Sequence, residues 1–474
     1  MKSYWRSLQL SLFICSVIMI NISIENDSIS TLAETERSVW YIAVQSAIGG
    51  DGSVQNPFNS IQDGIDTAHA GDIVQVGAGT YYENITMKSG VEILGAGAGA
   101  SIINGGGNGS VVIANNVDSE AKLEGFTITN GSGTIVSSLK CGGGAYLAYS
   151  NPIIKECRFS GNYADHAGGG ICNYESAPTL IECVFIDNRA MVGGGLSNIS
   201  SRTIVKDCHF NQNSADYGGG LMEIGSDTLV HGSWFYRNTA EYGAGICSTA
   251  NFSTITNCLL LDNSADYGGA VFCTSASYAA IINCSFTQNT ALQGKALGCD
   301  SLDEIGSNKV EIVNSILWNG GDEVWNRDNS LVTITYSDVQ GGYTGEGNIN
   351  KDPLFNDPNN QDLHLGAPSP CIDAGNNSRV PTELIQDYDG DNRIIDGNED
   401  EIATVDIGAD EFVSVDVPGD ANGDGVVDGQ DMIAISKNIL GIVPIIPRAD
   451  CNLDQVVNGQ DLICIKKKII SIGD

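Results

Sequence analysis

Six stretches of the chain repeat one pattern every 25 or 26 residues: CRFSGNYADHAGGGI, CVFIDNRAMVGGGL, CHFNQNSADYGGGL, SWFYRNTAEYGAGI, CLLLDNSADYGGAV and CSFTQNTALQGKAL. A unit this short cannot enclose a core of its own, so successive copies must stack and share one. The periodicity within each copy is that of strands. Cys157, Cys183, Cys208, Cys258 and Cys284 (with Ser233 in the gap) and, two residues later, Phe159, Phe185, Phe210, Phe235, Leu260 and Phe286 share one strand face. Three residues before the cysteine stand Ile154, Leu180, Val205, Val230, Ile255 and Ile281, out of phase with that face. A bend at Glu156, Glu182, Asp207, Gly232, Asn257 and Asn283 restores the phase. Short strands separated by turns, with about 25 residues to a circuit, describe a mainly β protein, a parallel β-helix solenoid.

Five residues after the cysteine comes Asn162, Asn188, Asn213, Asn238, Asn263 or Asn289, without exception among the six copies. Stacked amides can bond from coil to coil, so this column is expected to be a structural ladder. The Gly168–Gly170 triplet and its equivalents suit close backbone approach and have no Lys-Ser/Thr after them, which excludes a phosphate loop. The cysteine column predicts stacked thiols inside the coil, with bridges between neighbours as the alternative.

The F-x-x-N and G-G-A/G-aliphatic elements resemble the repeats of polymorphic outer-membrane-protein passengers, over roughly residues 120 to 300. That resemblance implies a right-handed, pectin-lyase-like β-helix and says nothing about activity. The solenoid is expected over 38–350. Phe58, Ile61, Ile65 and Ala68 form a helical stripe suited to plugging its open N-terminal end, and DIVQVGAGTYYENITM reads as its first strands. KVEIVNSILWN and LVTITYSDVQ read as late coils. Residues 351–413, with SPCIDAG, DYDGDNR and VDIGADEF, resemble the tail of secreted bacterial β-helices and are expected to cap the final coil. Within it Asp387, Asp389 and Asp391 form either a calcium site or, as the favoured reading, a short acidic turn.

The chain begins with Lys2 and Arg6 followed by the apolar run Leu8 to Ile20, a signal-peptide pattern assigned to 1–30. No small-x-small cleavage site follows, so an uncleaved anchor is the alternative. Ile14 before Cys15 spoils a lipoprotein box. The formal net charge of -35 leaves no basic footprint for nucleic acid or an anionic membrane.

After a linker at 414–417, one loop occurs twice. In DANGDGVVDGQD, Asp420, Asn422, Asp424, Asp428 and Asp431 occupy positions 1, 3, 5, 9 and 12, with the Val426 carbonyl at 7 and Gly425 at 6. The second copy places Asp450, Asn452, Asp454, Asn458 and Asp461 alike, with the Val456 carbonyl and Gln455 in place of the turn glycine. These are the oxygen positions of an EF-hand-type calcium loop, closed by Asp instead of Glu. With those departures, residues 418–474 strongly resemble a type I dockerin. The resemblance implies two calcium ions, a loop-helix pair and docking on a cohesin domain of a scaffoldin. It assigns partner contact to Gly429, Gln430, Gly459 and Gln460, identical in the halves, and to Ser436, Lys437, Lys466 and Lys467. Either half would then be able to face the cohesin.

Catalytic residues are unassigned. The five histidines (His69, His166, His209, His231, His364) occupy unrelated repeat positions. GTYYE at 79–83 overlaps a pectin methylesterase motif whose later signatures are missing. Two acidic columns stand out: Glu156, Glu182 and Asp207, with Lys155 and Lys206 nearby, and Asp216, Glu241 and Asp266. The second runs beside Tyr217, Tyr242 and Tyr267, a candidate glycan-binding row. The expected function is an exported, carbohydrate-directed β-helix tethered to an extracellular scaffold and facing a polysaccharide or cell-surface glycan. The alternatives are a polysaccharide lyase or O-glycosyl hydrolase of a cellulosome-like complex, and a surface adhesin or structural spacer.

Overall fold

The computed structural model describes residues 37–301, 306–398 and 400–413 and, in the C-terminal tail, 427, 432–433, 435–436, 451 and 457–471. Three parallel sheets wind around one lumen. A 12-stranded sheet runs from Val39–Ile42 to Leu331–Thr335, an 11-stranded sheet from Gly79–Tyr81 to Asp338–Val339, and a 10-stranded sheet from Ile85–Thr86 to Val324–Asn326. Each complete coil contributes one strand to each sheet, and every neighbour within these sheets comes from an adjacent coil. This is a right-handed parallel β-solenoid. Among the described residues no helix is long and apolar enough to cross a membrane.

The columns expected from the sequence are in register. Ile154, Leu180, Val205, Val230, Ile255 and Ile281 pair in succession. Phe159, Phe185, Phe210 and Phe235 stack with ring centroids 5.2, 4.6 and 4.7 Å apart. The bend is real: Glu156, Glu182, Asp207, Gly232, Asn257 and Asn283 all have φ between 50° and 57°. A left-handed residue there turns the chain so that both the aliphatic and the Cys/Phe positions enter the lumen. The column cysteines are buried free thiols, so the bridged alternative is not realised. At Gly168, φ is 64°, and a Cβ on Gly170 would press on the Gly195 carbonyl and the Phe185 ring. The triplet is therefore held to glycine by backbone-to-ring contact between coils.

The asparagine ladder is continuous. Asn162, Asn188, Asn213, Asn238 and Asn263 each donate from Nδ2 to the Oδ1 of the next, at 2.9 to 3.1 Å. The column extends beyond the six copies to Asn319, which accepts from Asn289 at 2.8 Å and ends on the buried Glu323 carboxylate at 2.6 Å.

The helix Ile61–Thr67 plugs the N-terminal end, with Ile61, Ile65 and Ala68 buried. Phe58 lies before that helix, bridged to Ile42. Glu83, from the GTYYE stretch, accepts from Ile61 N at 2.8 Å, Gln62 N at 3.2 Å and Ser60 Oγ at 2.9 Å. It neutralises the exposed amides of that helix N-terminus, which gives it a structural task.

The segment 351–413 differs from the end cap expected. Beyond its contacts with the last coil it folds back along the outer face of the 11-stranded sheet. Leu363 and Ala409 pack on Leu259 and Leu261, and Leu365, Cys371 and Ile407 on Ile316. Outward positions of those coils include Leu259, Leu261 and Ile316, whose apolar side chains the segment buries.

The lumen also holds the carboxyl group of Glu223. Glu223 is fully buried, and its Oε2 accepts from Ser248 Oγ at 2.8 Å, from Asn251 Nδ2 at 2.6 Å and from Ser253 Oγ, while Oε1 and Asn251 Oδ1 have no partner. Burial raises its pKa against the lowering effect of those donors. A carboxyl group with a raised folded pKa stabilises the fold below its unfolded pKa and loses that contribution as pH rises through the folded value. Glu223→Gln is therefore expected to match the wild type near pH 4.5 and to exceed its melting temperature at pH 8, since the amide brings a donor without charge. Equal melting temperatures at both pH values would refute this.

Candidate functional site

Tyr217, Tyr242 and Tyr267 come together as expected. Their rings stack at 5.0 and 5.1 Å with interplanar angles of 6° and 12°, and Trp325 continues the row at 5.3 Å. They are half-buried over Cys172, Met222, Cys247 and Phe272, on the outside of the 10-stranded sheet. Each inner ring face meets a neighbouring ring, so sugar stacking on those faces is closed. What the row offers outward is its phenolic edge, beside Asp216, Glu241 and Asp266. Burial, and the Glu241 carboxylate hydrogen-bonded to it, hold Tyr242 protonated well above the ordinary tyrosine range.

On the other side, Glu156 and Glu182 sit at successive bends. They rim a shallow cleft of about 640 Å³ whose floor includes Ile102, Thr127, Arg158 and Val184. Lys155 pairs with Glu156 at 2.9 Å and Lys206 with Asp207 at 3.8 Å, so lysines interleave this column and relieve its repulsion. A guanidinium and two carboxylates beside the apolar side chains of Ile102 and Val184 can hydrogen-bond a hydroxyl-rich ring and bury its apolar face. His209, which also faces outward from this sheet, is stacked on Trp234 at 5.3 Å.

The segment 351–413 holds two clusters of titratable side chains. His364, Asp389 and Asp410, and again Asp387, Asp389 and Asp391, bring ligand-type atoms within 4.8 Å of one another. The imidazole is already engaged: Nδ1 donates to Asp362 at 2.6 Å and Nε2 to Asp389 at 2.8 Å. Burial pulls its pKa down, but these carboxylates outweigh that and hold it at about 9. Hydrogen-bonded on both nitrogens and protonated, the imidazole balances the charge of the carboxylates around it. Asp387 accepts from the amides of Asp389, Gly390 and Asp391 and, on its other oxygen, from Glu411 N, as a turn-forming aspartate does. These bonds shape an acidic turn, and the carboxylates of Asp387, Asp389 and Asp391 also lie close enough together to hold a cation.

In the tail, the helix Gly459–Ser471 starts at the end of the second loop. Asp461 is buried in its first turn, where its Oδ2 accepts from Asn458 N at 2.8 Å, and Asn458 Oδ1 accepts from Gln460 N at 2.7 Å. Asn458 and Asp461 thus stand side by side, an oxygen-only pair of the kind calcium takes. Gln460, Lys466 and Lys467 are exposed, and Ser436 is half-buried, donating to Met432 O at 2.6 Å. Asp420, Asn422, Asp424, Val426, Asp428, Gly429, Gln430, Asp431, Lys437, Asp450, Asn452, Asp454 and Val456 lie outside the described residues. Ile435, Cys451 and Ile465 form a buried cluster. Cys451 is disulfide-bonded to Cys464, with Cα atoms 5.8 Å apart. The sequence reading missed this bridge. Its signal was two cysteines 13 residues apart, outside the register of the solenoid column.

Fold and tail together define a right-handed β-helix carrying a small C-terminal loop-helix module. Residues 77–235 and, overlapping them, 144–303 match the family model of the right-handed β-helix region, and residues 418–470 match that of the dockerin type I domain. No curated protein matches the chain in sequence. Among solved structures it is similar to the pectate lyase Pel9A, at 14% identity and a TM-score of 0.51, over 80% of this chain and 97% of that one. A rhamnogalacturonan lyase aligns at 11% identity and a TM-score of 0.43, over 67% of this chain and 90% of that one. At such identities the likeness to the pectate lyase speaks for the fold alone.

Proposed function

We propose that this protein is an exported, carbohydrate-directed β-helix held on a cohesin of an extracellular scaffold by a calcium-loaded dockerin. The observation that carries the reading is the dockerin type I match at 418–470 on a right-handed β-helix. Two calcium ions would be held by Asp420, Asn422, Asp424, the Val426 carbonyl, Asp428 and Asp431, and by Asp450, Asn452, Asp454, the Val456 carbonyl, Asn458 and Asp461. Calcium would neutralise four aspartates in the first loop and three in the second and so bring each loop onto its helix. Gly429, Gln430, Ser436 and Lys437 in one half, and Gly459, Gln460, Lys466 and Lys467 in the other, would face the cohesin.

The combined Asp420→Ala/Asp450→Ala variant is expected to lose all retention on a cohesin panel while the solenoid's circular dichroism stays unchanged. Retention equal to wild type, or equal retention in calcium and in chelator, would sink the tether.

The carbohydrate surface is assigned to the tyrosine edge and its carboxylates. Tyr217→Phe/Tyr242→Phe/Tyr267→Phe keeps the stack and removes the hydroxyls. It should weaken retention on the bound polysaccharide about tenfold in a gel-shift panel, and unchanged mobility would remove the row from the site. The cleft at Arg158, with Glu156 and Glu182, favours a second reading, a polysaccharide lyase or glycoside hydrolase. Soluble products or unsaturated ends from the same panel would select it over an adhesin or spacer.

A further inference from the structure

We infer that the Cys451–Cys464 disulfide makes the two halves of the dockerin unequal, so that in the oxidised protein the second half is the one that stays formed and docks when calcium is scarce. The inference rests on the dockerin reading of the tail and deepens it. The bridge runs from residue 451, next to Asp450 at the start of the second loop, to Cys464, one helical turn beyond Asp461 at its end. It therefore ties together the same two ends that a bound cation would draw together.

The first loop has no counterpart. Ala421 and Ala434 stand at the equivalent positions, thirty residues earlier in each case. Apart from Asp428 against Asn458, the ligands and the partner-contact residues 429–430 and 459–460 are repeated, so the resemblance to a dockerin lets either half face the cohesin.

Two further observations fit. Gln455 replaces the glycine of the loop turn, where a left-handed conformation favours glycine, so the second loop is the one in need of support. Cys451 also packs between Ile435 of the first half and Ile465 of the helix Gly459–Ser471, so the bridge fixes the small core on which that helix rests. A core of this size holds a helix poorly by itself. Closing a loop of 13 residues covalently removes much of the freedom of the unligated state, and a ligand meeting a preformed site binds more tightly by the fraction already formed. The exposed Gln460, Lys466 and Lys467 are carried on the helix so fixed.

The test uses the full chain and calcium itself. Dithiothreitol gives two electrons and two protons to the S–S bond, leaving two thiols and its own cyclic disulfide. Mass spectrometry after alkylation should count the two new thiols. In calorimetry the oxidised protein is expected to show a tighter and a weaker calcium site. Asp450→Ala should abolish the tighter one and Asp420→Ala the weaker. Reduction, or the Cys451→Ser/Cys464→Ser variant, should weaken the tighter site about tenfold and bring the two together.

Calcium affinities indifferent to reduction, or a tighter site that disappears with Asp420→Ala, would overturn the inference while leaving the dockerin in place. Binding heat that survives Asp420→Ala/Asp450→Ala in full would place the calcium outside both loops. That result, or no heat in either redox state, would overturn the dockerin reading and the inference with it.

Discussion

Asn213→Leu is expected to destabilise the solenoid by about 4–6 kcal/mol, as much as any single change in the repeat. The asparagine is fully buried and holds four bonds. It donates to Phe185 O at 2.9 Å and Asn238 Oδ1 at 3.0 Å, and accepts from Asn188 N at 3.1 Å and Asn188 Nδ2 at 3.0 Å. Leucine has similar bulk and none of this chemistry. It leaves the Asn188 N–H and one Asn188 Nδ2 hydrogen without their acceptor inside the turn, each costing about 1–3 kcal/mol, and breaks the coil-to-coil chain of side-chain amides. Because a coil touches only its neighbours, the damage should be local at first. Hydrogen exchange should quicken in the coils around 188, 213 and 238 before the ends respond. Urea unfolding of the full chain measures the total, and a loss under about 1 kcal/mol would mean that water or backbone relaxation replaces the ladder.

Features that repeat with the coil were legible in the sequence. The Phe, Asn and aliphatic columns needed only a count of 25 or 26, and the out-of-phase aliphatic position required a bend that the left-handed φ at Glu156, Glu182 and Asp207 supplies. The row of tyrosines was legible for the same reason. Their mutual stacking, which closes the ring faces, follows from coil spacing and side-chain direction, and a linear pattern does not carry that. Asn319 escaped because it follows Asn289 by 30 residues, out of register, although it continues the same ladder. Glu83 looked like part of a motif and caps a helix some twenty residues earlier, a contact only the folded coil creates. Of the tail, the ligand order could be read from spacing, whereas the pairing of Cys451 with Cys464 depends on how the helix returns to the loop.

Long-range contact also governs the segment 351–413, where Arg393→Met is expected to release the segment from the solenoid. Arg393 is 1% exposed. Its Nη1 donates to Ala409 O at 2.8 Å, its Nη2 to Gly408 O and, with the Asn283 amide turned to present its oxygen, its Nε to that oxygen at 3.2 Å, with Glu411 at 3.9 Å. One guanidinium thus joins the segment to itself and to a solenoid bend. Burial pushes the surrounding carboxyls up, Asp387 and Asp406 to about 7 and Glu411 to about 9, and the arginine opposes that rise. Methionine fills much of the volume but leaves the Gly408 carbonyl without a donor, the Ala409 carbonyl with Tyr388 N alone at 3.3 Å, and the carboxyls without a counter-charge, a loss of about 3–5 kcal/mol. Acids with raised folded pKa values stabilise below their unfolded pKa and lose that contribution as pH climbs through the folded values. The defect should accordingly be smallest near pH 5 and grow from pH 7 to 9. Arg393→Lys keeps the charge but not the planar fork, so it should fall between. Limited proteolysis reads the outcome directly: cleavage within 351–413 should quicken in the variant, while the main thermal transition of the solenoid stays near its wild-type position. Cleavage no faster than wild type, or a defect that does not change with pH, would mean that the apolar contacts of Leu363, Leu365 and Ile407 hold the segment without the arginine.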